Sequence, residues 1–248
     1  MSGHSKWSTI KRAKGAADAK RGKIFTKVAR EIMVAAKAGG PNPDENSALR
    51  LAMAKARQAN MPKDNVQRAI DRATGAGGGE DWQEIRYEAY GPGGVALLID
   101  ALTDNRNRTV SDVRSTLTKA GGSLGETGSV AWTFEQKGVV LIDLGDGVDE
   151  EDLELQAIDA GAEDIEVDGG VLEIVTAPAD VEAVRSGLEG NGATIASAEV
   201  IMRPTNTIGV DESKGRQIVR LIESLEDLDD VQRVSTNADL PDSVLAEA

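Results

Sequence analysis

The stretch spanning residues 3–37 is strongly basic inside an acidic chain. Residues 1–37 carry ten Lys or Arg against two acids, whereas the whole chain has a formal net charge of -14. At about 100° per residue, apolar side chains from position 24 to position 36 fall on one side of a helix. Five cations gather on the opposite side: Lys20, Lys23, Lys27, Arg30 and Lys37. The pattern predicts an amphipathic helix with a core face and a cationic stripe.

This cationic stripe has two interpretations. Charged side chains often do no more than solvate an exposed helix face, but such a face normally mixes both signs, and this one has almost no acids. One-sign clusters are the usual electrostatic footprint of nucleic-acid binding. We therefore predict an anionic partner, on condition that the cations share one side and are not paired with carboxylates from the rest of the chain.

The distribution of charge along the chain supports this prediction. Residues 1–75 hold sixteen Lys or Arg and six acids, whereas residues 76–248 hold twelve and thirty-six. The acidic part would repel a polyanion, so binding should be confined to the basic end. Such a polarity would orient the protein on its partner.

Length and composition bound the class of protein. A chain of 248 residues permits one large domain or two to three small ones. No apolar run approaches the ~20 residues that span a bilayer, and the basic start lacks the uninterrupted apolar segment of a signal peptide. The absence of Cys excludes disulfides and is typical of a reducing compartment. We expect a cytoplasmic protein with no membrane partner.

Three helical segments follow one another in the first third of the chain. The first ends at the helix-breaking residues 39–43, Asn46 or Ser47 can cap the second, and Asp64 can cap the third. The prediction is a basic helical domain over residues 1–78, in which the glycine-rich end is a linker.

Beyond this linker the hydrophobic period changes from 3.6 to 2. Residues 138–204 read as strand, helix, two strands, helix and strand, which is the ferredoxin-like order. The flanking residues 79–137 and 205–248 contain the strands and helices of another α+β domain. The predicted fold class is therefore mixed α/β (α+β): a basic three-helix domain followed by two ferredoxin-like domains, one inserted in the other. The strands and helices predicted for the flanking domain are 85–90, 95–102, 110–120 (helix), 130–135, 207–210, 213–225 (helix) and 231–235.

Residues for catalysis are scarce. His4 is the only histidine and there is no Cys, so nucleophilic triads and Cys/His zinc sites lack their residues. The glycine run at 75–79 follows a helix and lacks the Gly-Lys-Ser/Thr ending of a phosphate loop. We expect no enzyme activity, no cofactor, no metal and no small-molecule substrate.

The loop from Thr103 to Thr109, TDNRNRT, joins a strand to a helix N-terminus. Unpaired backbone N–H groups and the helix dipole favour an anion there, and Arg106 and Arg108 could hold a phosphate. Alternatively, the arginines pair with Asp104 or Asp112 in an ordinary turn. The residues support both interpretations equally.

Trp7 stands among cations, where it can stack on a base or anchor the leading segment by packing. The nucleic-acid-binding residues predicted from these patterns are Lys6, Trp7, Lys11, Arg12, Lys14, Lys20, Arg21, Lys23, Lys27, Arg30, Lys63, Arg106 and Arg108.

The predicted inserted domain is the acidic extreme of the chain. Residues 138–200 contain one basic residue, Arg185, and seventeen acids. Their strands lack the stacking aromatics and the basic surface of an RNA-recognition motif, which shares the same element order. We expect this domain to face away from nucleic acid. Two roles are open for it: binding a basic protein partner, or keeping the complex soluble.

Seven ordered motifs, GHSKW, DAKRGKIFTK, NMPKDN, YGPGG, ALTDNRNRT, GSVAW and LEDLDDVQ, together resemble the YebC family, which includes the mitochondrial translational activator of cytochrome c oxidase. The resemblance spans essentially the whole chain. It implies a three-domain α/β protein with a helical N-terminal domain and no known enzymatic activity. The sequence departs from the family near residues 234–237, where an aromatic is usual.

The resemblance also implies two competing functions: DNA-binding transcriptional regulation, and ribosome-associated help with translation, notably of proline-rich stretches. A sequence-reading DNA protein usually places a recognition helix in the major groove, and the sequence shows no clear helix-turn-helix. Dense phosphate contacts at one end with an acidic remainder suit a ribosomal factor. We therefore predict a translation factor that binds rRNA or the ribosome, with DNA-binding regulation as the alternative.

Overall fold

Three helices form the first part of the chain. In this computed structural model, which describes residues 18–75, 82–145, 150–168, 170–191 and 193–247, they are α1 (Asp18–Gly39), α2 (Ser47–Gln58) and α3 (Lys63–Thr74). Val28 and Ile32 of α1 are buried against Leu49 of α2 and Ile70 of α3. The apolar face predicted for the first helix is therefore the core of a small bundle.

Asn46 fixes the connection between α1 and α2. Its side-chain oxygen accepts a hydrogen bond from Leu49 N at 3.0 Å, so it is the N-cap of α2. Its amide nitrogen donates to Ala35 O at 2.8 Å and to Gly40 O at 2.9 Å. Gly40 has φ +88°, a left-handed conformation that glycine adopts without strain. One buried side chain thus ends α1 and starts α2.

The rest of the chain forms two mixed α+β parts. Its strands are β1 (Gln83–Tyr90), β2 (Ala96–Thr103), β3 (Ser123–Leu124), β4 (Phe134–Asp143), β5 (Asp164–Asp168), β6 (Val171–Thr176), β7 (Ile195–Pro204), β8 (Ile208–Gly209), β9 (Val231–Thr236) and β10 (Ala238–Asp239). Its helices are α4 (Arg106–Lys119), α5 (Glu150–Asp159), α6 (Val181–Gly190), α7 (Glu212–Glu226) and α8 (Asp242–Glu247).

The first sheet has the order β3-β1-β2-β9 with antiparallel neighbours. Leu97 and Ile99 of β2 are fully buried in a core that includes Leu117 of α4 and residues of α7 such as Ile218 and Leu221. β8 and β10 form a separate parallel pair. Seven of the eight residues of β2 are buried, with Leu97 and Ile99 on the face toward these helices, as expected for a central strand.

The second sheet has the order β5-β6-β4-β7, with α5 between β4 and β5 and α6 between β6 and β7. This is the split βαβ arrangement predicted for the inserted segment. The observed fold is therefore mixed α+β, with N-terminal helices followed by sheet-and-helix parts, as predicted.

Two compact units divide the chain. Residues 135–203 form one, called here the inner unit, and the remaining described residues form the other, called the outer unit. The three-helix bundle and the first sheet belong to the same outer unit. The division into domains 1–78, 79–137 with 205–248, and 138–204 stays a prediction.

Three elements differ from their predictions. The third helix is not capped by Asp64: it begins at Lys63 after Pro62, and Asp64 lies within its first turn. The helix predicted at 110–120 begins at Arg106, because Asn105 caps it by accepting a hydrogen bond from Arg108 N at 3.1 Å. The strand predicted at 130–135 is wrong in its first half: residues 131–133 form a short 3-10 turn, and β4 starts at Phe134 and continues to Asp143. The apolar residues at 130–134 are buried without being a separate strand.

We expect Asn46→Ala to destabilise the outer unit by about 2–3 kcal/mol, since it removes the cap of α2 and leaves two carbonyls without their donor. Asn46→Asp keeps the capping oxygen but not the two donated bonds, so it should recover only about 1 kcal/mol of this loss. Urea unfolding followed by circular dichroism measures both. Equal stability of the wild type and the alanine variant would contradict this role.

Candidate nucleic-acid interface

The predicted cationic stripe of α1 meets an acidic turn of the same unit. This acidic turn, residues 226–230 (Glu-Asp-Leu-Asp-Asp), follows α7 and leads into β9. Lys23 Nζ donates to Asp227 O at 3.1 Å and lies 3.5 Å from Asp227 Oδ1. Lys27 Nζ donates to Glu226 O, and Arg30 Nη1 donates to Asp229 O. These three cations are spaced by about one helical turn, and each contacts a backbone carbonyl of the acidic turn.

These contacts have a clear electrostatic cause. The last carbonyl groups of a helix have no partner within the helix and carry the negative end of its dipole. Because Glu226 O and Asp227 O lie at the C-terminus of α7, the lysines of α1 supply the missing donors there. The carboxylates of the acidic turn add further negative charge. The stripe thus stabilises the end of α7 and joins the helical bundle to the sheet of the outer unit.

Asp230 is the buried centre of this contact. Its side chain is 7% exposed. Its Oδ2 accepts hydrogen bonds from Arg108 Nη2 and Thr109 Oγ1, both at 2.7 Å, and lies 3.3 Å from Thr103 Oγ1. Its Oδ1 lies 3.3 Å from Arg30 Nη1. One carboxylate therefore connects α1, the end of β2 and the start of α4.

The protonation of Asp230 follows from these partners. Burial raises the pKa of its carboxyl. The hydrogen bonds from Arg108 and Thr109 and the charges of Arg108 and Arg30 lower this pKa by a larger amount, so it lies below its ordinary value. The pKa of Arg108 is raised, mainly by its hydrogen bond to Asp230 and then by that to Asp104. The pair is fully charged at neutral pH.

A cleft of about 880 Å³ lies beside the acidic turn. Trp82 lines it, and the guanidinium carbon of Arg30 lies 4.4 Å from the centre of the Trp82 ring, within cation–π distance. Four basic and five acidic residues share the lining. Because the acids balance the bases, charge alone does not make this cleft a site for a polyanion.

The two arginines in the loop from Thr103 to Thr109 have different surroundings. Arg108 Nη2 contacts Asp104 Oδ1 at 2.8 Å in addition to Asp230, so its described contacts are those of an intramolecular ion pair. Arg106 is exposed at the first position of α4. Asp104 was one of the two partners that the sequence suggested for the arginines; Asp230 was not foreseen.

The other predicted binding residues fall into two groups. Lys63 is exposed at the start of α3. Lys6, Trp7, Lys11, Arg12 and Lys14 lie outside the described residues, as do the side chains of Lys20 and Arg21 in the first turn of α1. The binding role of all these residues stays a prediction.

The cationic ends of Lys23, Lys27 and Arg30 do not form an open stripe. The hypothesis required that the cations not pair with carboxylates from the rest of the chain. Lys23 and Arg30 do not meet that condition, because they lie 3.5 Å from Asp227 Oδ1 and 3.3 Å from Asp230 Oδ1, and Lys27 contacts the backbone carbonyl of Glu226. Their partners are about 200 residues away in the sequence. The acidic run LEDLDD is visible in the sequence. Its pairing with the stripe is a tertiary contact, so no local pattern predicts it.

The inner unit keeps its few cations in internal ion pairs. Lys137 contacts Glu163 at 2.8 Å, and Arg185, a buried residue, contacts Glu182 at 2.8 Å. Arg203 lies 3.6–3.8 Å from three carboxylates, among them the buried Glu173. Since eighteen acids accompany these three cations, the surface of this unit is strongly negative.

The described residues contain neither a candidate metal cluster nor a candidate membrane-spanning helix. No group of three or more His, Asp or Glu there could hold a metal ion. None of the helices in that part of the chain is both long and apolar enough to cross a membrane.

Two profiles of known protein domains match this chain. Residues 5–76 match the profile described as the TACO1/YebC protein N-terminal domain, and residues 82–238 match the TACO1/YebC second and third domain. The chain belongs to the TACO1/YebC family. The resemblance carried by the seven sequence motifs is thereby confirmed.

Relatives within the TACO1/YebC family are similar over their full length. A protein of Rubrobacter xylanophilus is 55% identical over 100% of this chain and 99% of its own, and one of Dehalococcoides mccartyi (strain CBDB1) is 54% identical over 99% and 97%. Both are named probable transcriptional regulatory proteins. The crystal structure of a conserved hypothetical protein from Aquifex aeolicus is 44% identical, with a TM-score of 0.83 over 90% of this chain and 92% of that one.

We expect Asp230→Asn to lower the free energy of unfolding by about 2–3 kcal/mol, because two arginines and two hydroxyl groups lose a buried carboxylate. Asp229→Asn is the matched control. Asp229 is exposed and contacts Arg30 through its backbone carbonyl, so its change should stay within about 0.5 kcal/mol. Urea unfolding of the three proteins measures the difference, and equal losses in both variants would contradict the central role of Asp230.

The pH dependence of stability should distinguish the same variants. Because the folded-state pKa of Asp230 lies below its ordinary value, its carboxylate stabilises the fold at neutral pH, and this contribution is lost as the pH falls through that lowered pKa. The stability of Asp230→Asn should therefore fall less steeply in acid than that of the wild type. A parallel acid limb in both proteins would contradict the assignment.

Proposed function

We propose that this protein is a non-catalytic, nucleic-acid-binding regulator of gene expression. The observation that supports this most is the separation of charge along the chain. Residues 1–75 hold sixteen Lys or Arg and six acids, whereas residues 135–203 hold eighteen acids and three cations, all engaged in internal ion pairs. A polyanion is attracted to one part of such a chain and repelled by the other. The names of the full-length relatives agree with a regulatory role.

Within this role, we favour translation: a factor that binds rRNA or the ribosome and assists the synthesis of difficult, proline-rich sequences. Phosphate contacts at one end of the chain, with an acidic remainder, suit the binding of a large RNA better than the reading of a DNA sequence. The contacts of Lys23, Lys27, Arg30 and Arg108 with the outer unit's own acids shift the proposed binding surface. It consists of the cations before α1, together with exposed residues such as Lys63 and Arg106.

A DNA-binding transcriptional regulator is the second candidate. It is favoured by the names of the relatives and by one structural observation: α2 and α3 are joined by four residues and both pack against α1, which is the connectivity of a helix-turn-helix. The charge on α3 argues against it. Asp64 and Asp71 offset two of its three cations, Lys63, Arg68 and Arg72, so α3 offers little net positive charge to the DNA backbone.

Sedimentation with ribosomes should separate the two candidates. We expect the full-length protein to pellet with purified ribosomes in modest salt, and its affinity to fall by roughly 10³ between about 50 and 200 mM salt if about six phosphates are contacted. A labelled promoter duplex should bind more weakly under the same conditions. Absence from the ribosomal fraction together with tight binding to the promoter would reverse the ranking.

Incubation of the protein with RNA should leave the length and the nucleosides of the RNA unchanged, since a cryptic RNA enzyme would alter one of them.

Two matched triple variants should locate the binding surface. Replacing Lys11, Arg12 and Lys14 by Ala should reduce the salt slope of ribosome binding by about 2, at ~0.7–0.9 per lost phosphate contact. Replacing Lys23, Lys27 and Arg30 by Ala should instead lower stability and leave the slope nearly unchanged, because these residues already contact the acidic turn. An equal loss of slope in both variants would mean that the target displaces the acidic turn from α1.

A further inference from the structure

Trp132 is unusually exposed for a large apolar side chain. It leaves 71% of its surface in solvent, more than any other large hydrophobic residue in the described part of the chain. Tyr90, at the end of β1, is 38% exposed. Tyr90 Oη donates to Ser129 O at 3.3 Å and Trp132 Nε1 donates to the same oxygen at 3.1 Å. The two aromatic rings are therefore neighbours, and neither was among the predicted binding residues.

The loop that carries Trp132 is held by a buried carboxylate. Glu88 accepts hydrogen bonds from the backbone N–H groups of Gly128 at 2.6 Å, Val130 at 2.7 Å and Ala131 at 2.8 Å. Burial raises the pKa of Glu88, but these three donors lower it more, so the carboxyl has a lowered pKa and is charged at neutral pH. Three charge-assisted bonds to consecutive parts of one loop fix its backbone.

Close packing inside the loop adds to this rigidity. A Cβ atom on Gly125 would lie 2.4 Å from Ser129 Oγ and 3.4 Å from Tyr90 Cε2, so only glycine fits between the loop and the tyrosine ring. The polar atoms of both rings are already bonded to Ser129 O. What remains available to a ligand is the apolar face of each ring.

A rigid, exposed aromatic pair has the properties of a binding site. A fixed tryptophan loses little conformational entropy when a partner covers it, which is why such residues dominate binding surfaces. The loop around it, Gly125-Glu126-Thr127-Gly128-Ser129, contains no aliphatic side chain that would extend an apolar patch for protein docking. Stacking on a flat ring needs no such patch, because every nucleobase presents a π face.

Cations lie at the same end of the sheet. Lys119 is exposed at the end of α4, shortly before β3, whose Ser123 pairs with Tyr90. The stem of Lys214 packs beside Gly93, three residues after Tyr90, and its side chain is 51% exposed. Lys214 Nζ also lies 3.9 Å from Asp211 Oδ2, which offsets part of its charge, so the affinity of a site here would come mainly from stacking. Glu126 is the exposed acid of the loop, so we expect a modest affinity.

We propose that Tyr90 and Trp132 form a stacking platform for an unpaired nucleobase of a single-stranded nucleic acid. This platform rests on the proposed nucleic-acid-binding function and adds to it a site that reads the base face and not the phosphate. Neither ring lines the cleft beside the acidic turn. The platform would recognise a single-stranded loop or end, since bases within a duplex have no free face.

The test compares two oligomers of equal length and charge: an oligoadenylate RNA and its abasic counterpart. Trp132→Ala in the full-length protein should weaken oligoadenylate binding about tenfold and leave abasic binding unchanged, because base–aromatic stacking contributes to the first only. Trp132→Phe keeps a ring and should lose threefold or less. Oligoadenylate should also quench the indole emission of the wild type more than that of Trp132→Phe.

The remaining outcomes separate the platform from the proposed function. If the wild type binds both oligomers and Trp132→Ala changes neither affinity, or changes both equally, the platform is wrong and nucleic-acid binding stands. If the wild type binds neither oligomer nor ribosomes, the proposed function fails and the platform with it. If Trp132→Ala weakens ribosome binding and leaves the affinity for both oligomers unchanged, the ring does not act by stacking on an unpaired base and the proposal is overturned. Urea unfolding of each variant checks that the exposed substitution leaves the fold intact.

Discussion

The negative C-terminal end of α7 needs positive partners, and α1 supplies them. The last carbonyls of a helix lack donors, and four acids in the acidic turn add to their negative charge. Lys23, Lys27 and Arg30 meet this end, while Asp230 connects it through Arg108 and Thr109 to the start of α4. The helical bundle, the end of β2 and the start of α4 therefore meet at one contact between paired charges. The cleft lined by Trp82 exists because these elements are held there.

Local patterns predicted most of the fold, because the information they carry is local. Asn46 was one of two candidate caps and is the observed one, and the βαββαβ order of the inserted segment follows from period changes along the chain. The strand predicted at residues 130–135 was wrong for a different reason. Glu88 takes the N–H groups of Val130 and Ala131 from about 42 residues away, so a run of apolar residues turns instead of extending. Periodicity contains no information about such a partner.

The candidate site was harder to predict for the same reason. The sequence placed five cations on one side of α1, and three of them, Lys23, Lys27 and Arg30, contact the same acidic turn, which the sequence could not identify. Their partners lie some 199–204 residues away, in a run of acids that is equally one-sided. Two complementary charge clusters in one chain can pair with each other or with separate partners, and only the fold decides. Trp132 is a second case: the sequence placed it in a strand over residues 130–135, and only the structure shows an exposed ring.

The internal contact also limits where a polyanion can bind first. A phosphate in solution competes with an acidic turn that is tethered to its cations, and tethering gives that turn an effective concentration far above that of a dissolved ligand, in the mM range even for flexible linkers. Displacing it would also expose the carbonyls at the end of α7 and leave Asp230 without Arg30. A polyanion therefore meets least resistance at exposed cations such as Lys63 and Arg106, whose occupation leaves the acidic turn in place. Under the proposed function, Lys23, Lys27 and Arg30 would therefore orient the binding surface by fixing the bundle, and the phosphate contacts would belong to other cations.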